Sequence, residues 1–272
     1  MIPLTDRNPT RRFSLVCVVL IAINVSVFLY DQYSPVTVQM LAQDRYGQLT
    51  QVQSQMGSLS YRFAMIPAYV TGSLPADGSS PLTPLSVQPA WLTIFTSMFL
   101  HANWLHVGGN VLYLWIFGNN IEDILGRAKF LLFYLACGVG ASVVHILSNT
   151  ASIIPTVGAS GAVAGMMGAY VLLYPRARVL SLVPILGIVS TLIEVPAIVV
   201  IGYWFVLQIV NSTWLRGGEM LTKGGGIAYM AHIGGFTCGL IFIALLGGKR
   251  LIPSYSAEKR REQRQLQNEE NS

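Results

Sequence analysis

Four polar residues stand out because they lie in long apolar runs of the chain. Ser160 opens one run after a segment of small residues, and His232 lies near the start of another. A serine close to a histidine can act as a nucleophile with its general base, and neither run contains an acidic residue to complete a triad. His106 and Asn110 are four residues apart and therefore share a helix face. Both could donate hydrogen bonds to an oxyanion, together with the backbone N–H of Ser160.

The composition indicates what surrounds these residues. Of the 272 residues, 53% are hydrophobic and 11% are charged, and the mean hydropathy is +0.54. These values predict an integral membrane protein with several spans. The net charge of +5 comes from basic residues in short loops and tails, which favours a membrane protein over a nucleic-acid partner. The three cysteines lie in apolar runs without metal-ligand spacing, and there is no H-E-x-x-H motif, so we expect neither a disulfide framework, nor a metal, nor a cofactor.

We therefore expect an all-α membrane protein with six transmembrane helices between a cytoplasmic tail, 1–12, and a polar cytoplasmic tail, 249–272. The membrane domain is 13–248, and a long outer loop, 31–90, follows the first span. The predicted spans are about 13–30, 103–121, 129–148, 160–174, 194–210 and 227–247. With this order, 13 of the 17 basic residues lie on the inner side, which favours both termini inside.

The start of the fifth span does not follow from hydropathy alone, because the apolar run 179–210 is too long for one simple crossing. Glu194 and Pro196 suit the first turn of a helix. We therefore start the fifth span near 194, place Glu194 in its interfacial first turn, and interpret 179–192 as an interfacial loop.

The fourth span, Ser160 to Tyr174, is short. Its 15 residues give a helix of roughly 22 Å, whereas a bilayer core is about 30 Å thick. If the helix reaches the inner surface near Arg176, Ser160 begins it about 8 Å below the outer surface. His232 lies five residues into the sixth span, at about the same depth. Asn110 lies about 10 Å deep, with His106 one turn above it, so all four groups fall in one outer layer.

Packing and solvation could also explain these residues. Gly-Ala-Ser-Gly is common where helices pack, and Ala162 stands where a G-x-S-x-G hydrolase elbow needs glycine. The Gly161-x-x-x-Gly165 and Gly235-x-x-x-Gly239 pairs first indicate close-packing faces. Such faces would also bring the fourth and sixth spans together. Of the other histidines, we expect His145 to bond a backbone carbonyl and His101 to order the loop before the second span.

In this order and spacing, the motifs resemble the rhomboid intramembrane serine proteases. The resemblance covers about Trp91 to Leu246. The motifs that carry it are Phe99-Leu100-His101-Ala102, His106-x-x-x-Asn110, Phe117-Gly118-x-x-x-Glu122-x-x-x-Gly126, Gly158-Ala159-Ser160-Gly161 and Ala231-His232-x-x-Gly235-x-x-x-Gly239. It implies Ser160 as the nucleophile, His232 as the base, and His106 with Asn110 as oxyanion contributors. Gly158, Gly161, Gly235 and Gly239 would support the site.

The resemblance also implies cleavage of single-pass membrane proteins at small residues, with entry from the lipid past the fifth span and the loop above the serine. Two residues depart from the pattern. Leu92 follows Trp91, where many members have arginine, and Ala164 lies where some members place an aromatic residue under the histidine ring. Neither change removes a reacting group, although other residues must then orient His232.

Two other functions remain open at this point. An inactive rhomboid-fold protein could bind or escort membrane clients, although the presence of both Ser160 and His232 favours a protease. A small transporter would also suit glycine-rich spans, but the chain shows no inverted repeat and few intramembrane charges. The short tails and the lack of a seventh span favour the bacterial inner membrane.

Overall fold

The computed structural model describes residues 1–43, 49–73, 89–185, 189–214 and 228–252, and these are mostly helical. The first part of the chain forms strand β1 (Ile2–Asp6), helix α1 (Leu15–Tyr33) and strands β2 (Pro35–Gln43) and β3 (Leu49–Gly57). Short helices follow: α2 (Ser58–Phe63), α3 (Pro67–Thr71) and α4 (Thr93–Thr96), the last between 3-10 turns at Ala90–Leu92 and Ser97–Phe99.

The second part of the chain contains the longer helices. They are α5 (Trp104–Tyr113), continued by a π-helical segment (Leu114–Gly118) and α6 (Asn119–Leu125), then α7 (Arg127–Ser148), α8 (Ser160–Leu173), α9 (Ala197–Trp214) and α10 (Tyr229–Leu245). Strands β4 (Arg178–Ile185) and β5 (Val189–Pro196) separate α8 from α9, and a 3-10 turn (Gly248–Leu251) follows α10. Residues 215–227, between α9 and α10, and the polar tail beyond Ile252 lie outside the described residues.

Two of the described helices, α1 and α7, are long and apolar enough to cross a membrane on their own. The helices that contain the other predicted spans are shorter. In particular, α8 begins at Ser160 and ends at Leu173, one residue before the predicted end. The six-span count therefore stays a prediction.

The described chain is mostly helical, as expected, but it is not entirely α, because its strands also form two antiparallel sheets. β2 and β3 form an antiparallel pair, and β1, β4 and β5 form an antiparallel sheet in which β4 is central. The sheet pairs the backbone groups of an apolar segment that would otherwise leave them without partners. Residues 2–6 supply its third strand, so this N-terminal segment is part of the fold rather than a free tail.

The predicted interfacial loop at 179–192 and the helical first turn at Glu194 are also wrong. Residues 178–185 and 189–196 instead form the paired antiparallel strands β4 and β5, and α9 begins only after Pro196. Glu194 lies on β5, where its Oε1 accepts a hydrogen bond from Arg7 Nε at 2.9 Å. The start of α9 is held at the end of α8, because the N–H of Ala197 donates to the carbonyl of Ala177.

Helix α8 forms the centre of the core. All its residues from Gly161 to Tyr170 are buried, and α8 packs against both α7 and α10. Its contact with α10 depends on glycine. A Cβ added at Gly235 would overlap the carbonyl oxygen of Gly161, and one added at Gly239 would overlap that of Gly165. The two glycine pairs therefore let the backbones touch, and any side chain at Gly235 or Gly239 would push α10 away from the serine helix.

Candidate active site

Ser160 is the first residue of α8, and a hydrogen bond ties the loop before it to a neighbouring turn. The N–H of Gly158 donates to the carbonyl of Ser97 at 2.9 Å, which ties the loop to the turn after α4. Gly158 has φ +129°, a conformation that favours glycine. A Cβ at this position would lie 2.7 Å from the His106 ring and 3.5 Å from Ser160 Oγ, so these two side chains lie next to the same small residue.

His232 lies one turn into α10, where it is buried, with 8% of its surface exposed. Its Nε2 lies 2.8 Å from Ser160 Oγ, within hydrogen-bond reach of a nucleophile by its base. The glycine contact between α8 and α10 makes this approach possible, because it removes side chains from between the helices. A serine hydroxyl and an imidazole in this geometry can exchange a proton without a carboxylate.

The other ring nitrogen of His232 binds Gln208, a residue that is not among the predicted site residues. Its Nδ1 lies 2.8 Å from Oε1 of Gln208 on α9, and the Gln208 side chain is buried. Trp204, one turn earlier on α9, lies against the imidazole with ring centroids 5.6 Å apart. A signal for Gln208 was present, because a glutamine within an apolar membrane helix requires a partner just as Asn110 does. Trp204 supplies an aromatic neighbour for the ring, while Ala164 supplies none.

His106 and Asn110 lie on α5, which packs against α8. Asn103 caps this helix by accepting a hydrogen bond from the His106 N–H. His106 Nδ1 accepts from the Ala102 N–H at 3.5 Å, which leaves Nε2, the nitrogen beside the Gly158 position, to carry a proton. Asn110 is buried, and its Nδ2 has no hydrogen-bond partner among the described residues. It is therefore a donor that no described residue uses.

Of the two remaining histidines, His145 differs from its prediction, whereas the ordering role of His101 stays a prediction. His145 does not bond a backbone carbonyl, because its Nε2 lies 3.1 Å from the hydroxyl of Thr156 in the loop before α8. The buried ring of His101 lies edge-on to His106 with centroids 5.2 Å apart, so His101 contacts a predicted site residue from the preceding loop. Within the described parts of the chain, no group of three or more His, Cys, Asp or Glu side chains is placed to hold a metal ion.

Comparison with known sequences establishes the family. The Rhomboid domain model matches residues 88–249, more than half of the chain, and this range contains Ser160, His232, His106 and Asn110. The chain belongs to the rhomboid family. Membership makes it an integral membrane protein, as its composition indicates.

Several rhomboid relatives are similar over part of their length. Rhomboid protein 1, mitochondrial, of Saccharomyces cerevisiae is 30% identical over 156 residues, which cover 56% of this chain and 40% of the yeast protein. Rhomboid-like protein 11, chloroplastic, of Arabidopsis thaliana is 29% identical over 166 residues, or 58% and 53% of the two chains. Rhomboid protease GluP of Bacillus subtilis is 32% identical over 177 residues, or 62% and 30%. This chain thus spans between about a third and a half of these relatives.

Proposed function

We propose that this rhomboid is an intramembrane serine endopeptidase that uses Ser160 and His232 to cleave single-pass transmembrane proteins. The observation that carries the proposal is the 2.8 Å contact between Ser160 Oγ and His232 Nε2. An inactive client-binding protein has no need for this pair. The name of the Bacillus subtilis relative, a rhomboid protease, supports the same reaction.

The reaction begins when Ser160 Oγ attacks the carbonyl carbon of the scissile peptide bond and its proton passes to His232 Nε2. The new C–O bond moves the carbonyl electron pair onto oxygen. When the oxyanion collapses, the C–N bond breaks and the leaving amine takes the proton from His232. Water then attacks the acyl ester while His232 accepts its proton, and Ser160 leaves as the protonated hydroxyl.

Three donors are available to the oxyanion. The first N–H groups of a helix have no partner within it, so the Ser160 N–H at the start of α8 is free to donate. His106 Nε2 lies beside the adjacent loop, and the unpartnered Nδ2 of Asn110 lies one turn along α5. In a site of low dielectric constant, such donors stabilise a developing charge far more than they would in water.

In this proposal the six spans are α1, the α5–α6 segment, α7, α8, α9 and α10. The sheet of β1, β4 and β5 then lies on the inner side with both termini, and the serine lies towards the outer side. A substrate helix would enter from the lipid past α9 and the loop above Ser160.

The experiment is cleavage of a model single-pass substrate by the purified protein in liposomes. We expect Ser160→Ala and His232→Ala each to lower the rate by at least about 1,000-fold while the thermal unfolding temperature is unchanged. A fluorophosphonate probe should label the wild type and fail to label Ser160→Ala. Cleavage by purified Ser160→Ala at the wild-type rate would end the proposal. Absence of labelling and cleavage in a folded wild type would instead indicate the client-binding function.

A further inference from the structure

We propose that Gln208 is the positioning residue for His232 and replaces the missing acid of a triad with a neutral amide. This inference rests on the proposed protease function. Gln208 Oε1 lies 2.8 Å from His232 Nδ1, and Gln208 is 7% exposed. At this distance, one of the two groups must donate a hydrogen to the other. The direction of that donation decides whether His232 can act as a base towards Ser160.

The backbone of α9 fixes the direction. The Nε2 of Gln208 donates to the carbonyl oxygen of Trp204 at 3.1 Å. If the amide were rotated by half a turn, its oxygen would face that carbonyl oxygen and neither could donate to the other. The amide oxygen therefore faces His232, and Nδ1 carries the ring proton that this oxygen accepts. The lone pair of the neutral imidazole is then on Nε2, which points at Ser160 Oγ.

The chemistry suits a site within a membrane. A buried carboxylate would need compensation for its lost hydration, whereas a neutral amide costs less to bury. An amide oxygen can still hold the ring and accept the Nδ1 proton when the imidazolium forms. Asparagine has this position in Cys-His-Asn proteases, so an amide is adequate as the third group.

Trp204 limits how far the imidazole ring of His232 can turn. Its indole lies beside the imidazole, with ring centroids 5.6 Å apart and planes 36° from parallel, and so occupies space into which the imidazole would otherwise turn. Gln208 and Trp204 are four residues apart on one face of α9. One turn of this helix thus sets both the tautomer and the orientation of the base, although neither residue contacts Ser160 in the structure.

The test compares three α9 variants in the full-length protein. We expect Gln208→Leu to lower both kcat and the rate of fluorophosphonate labelling by about 10- to 100-fold, with KM nearly unchanged, because one hydrogen bond to a charged group is lost. Gln208→Glu retains an acceptor oxygen and should keep a rate well above that of Gln208→Leu. The acid limb of the pH–rate profile of Gln208→Glu should move to higher pH, because a carboxylate beside His232 favours the imidazolium. Leu207→Ala is the matched control on the same helix and should leave the labelling rate unchanged.

A second measurement reports the tautomer of His232 and does not depend on enzymatic activity. Nitrogen-15 NMR of labelled histidine, with the His232 signal assigned by its absence in His232→Ala, should show the Nδ1–H form in the wild type. Gln208→Leu should show a mixture of both tautomers. A wild-type signal from the Nε2–H form, or a Gln208→Leu variant with the wild-type spectrum and labelling rate, would overturn the positioning role. If the wild type shows no Ser160-dependent labelling, the proposed function fails, whereas the NMR result still tests the contact.

Discussion

Gly158 lies in the loop before Ser160, and its lack of a side chain leaves room for the His106 ring and the Ser160 hydroxyl beside this loop. Its φ of +129° disfavours any side chain, and a Cβ would lie 2.7 Å from two atoms of the His106 ring. We expect Gly158→Ala to lower the cleavage rate by about tenfold or more, because strain of about 1–3 kcal/mol falls on the loop beside the reacting groups. Initial rates on the model substrate measure the effect. Gly202→Ala is the control, since a Cβ at Gly202 meets nothing within 4 Å; equal rates for both variants would contradict the prediction.

Asn110 allows a sharper test of the oxyanion donors. Its Nδ2 is buried without a partner, so its removal leaves no protein acceptor unsatisfied. We expect Asn110→Ala to lower kcat by about 100-fold with little change in KM, because its donor is used only when the oxyanion forms. Asn24→Ala is the comparison, because Asn24 donates to the carbonyl of Leu20 on its own helix. That variant should affect the unfolding temperature but not kcat, and a similar loss of kcat in both would argue against an oxyanion role.

At the scale of elements, the start of α1 depends on a distant carboxylate. Glu122 on α6 accepts hydrogen bonds from the N–H groups of Val16 and Cys17 at 3.0 and 2.8 Å, and Glu122 itself is buried. It therefore caps the first turn of α1 from another helix, where the dipole favours negative charge.

We expect Glu122→Ala to lower the free energy of unfolding by about 1–3 kcal/mol, because two buried N–H groups lose their acceptor. Glu122→Gln keeps one acceptor oxygen and should lose less. Thermal unfolding in detergent measures both variants. Glu194→Gln is the reference, because it alters an exposed ion pair that contributes little. A Glu122→Ala variant as stable as this reference would show that α1 does not need the cap.

The sequence predicts the helices that carry Ser160 and His232, but it does not predict the sheet. Helix length and glycine spacing place Ser160 and His232 in one layer on helices that can touch, and α8 begins at Ser160. The sheet joins residues 2–6 to residues 179–182, and no local pattern indicates a pairing between such distant segments. Gln208 was not predicted for a different reason. The third residue of a catalytic triad is usually a carboxylate, and the fourth and sixth spans contain none, whereas the structure places an amide from α9 beside His232.

At the scale of the whole molecule, the N-terminal segment is connected to the serine helix. Asp6, at the end of β1, accepts hydrogen bonds from the hydroxyl of Tyr170 on α8 at 2.7 Å and from Nδ2 of Asn120 on α6 at 2.8 Å. The N–H of Arg7 donates to the carbonyl of Arg178 on β4. The start of the chain thus ties the C-terminal end of α8 to the sheet that precedes α9, at the opposite end of α8 from Ser160.

Asp6 should give this connection a pH dependence. Burial raises the pKa of the Asp6 carboxyl above its ordinary value of 3.8, although hydrogen bonds from Tyr170 and Asn120 oppose the shift. The folded protein therefore holds this proton more tightly than the unfolded chain does. The resulting stabilisation is present below pH 3.8 and is lost as the pH rises through the pKa of the folded state.

We expect Asp6→Asn to remove this contribution while keeping an acceptor for Tyr170 and Asn120. The difference in unfolding temperature between Asp6→Asn and the wild type, measured from about pH 4 to about pH 7, should grow in favour of the variant as the pH rises. Asp6→Ala should be less stable than Asp6→Asn at every pH, because the Tyr170 hydroxyl loses its acceptor and Asn120 Nδ2 keeps only Asn119 Oδ1. A difference between Asp6→Asn and the wild type that stays constant with pH would contradict the titration. Equal stability of the alanine and asparagine variants would show that the hydrogen bonds to α8 and α6 do not hold the N-terminal segment in place.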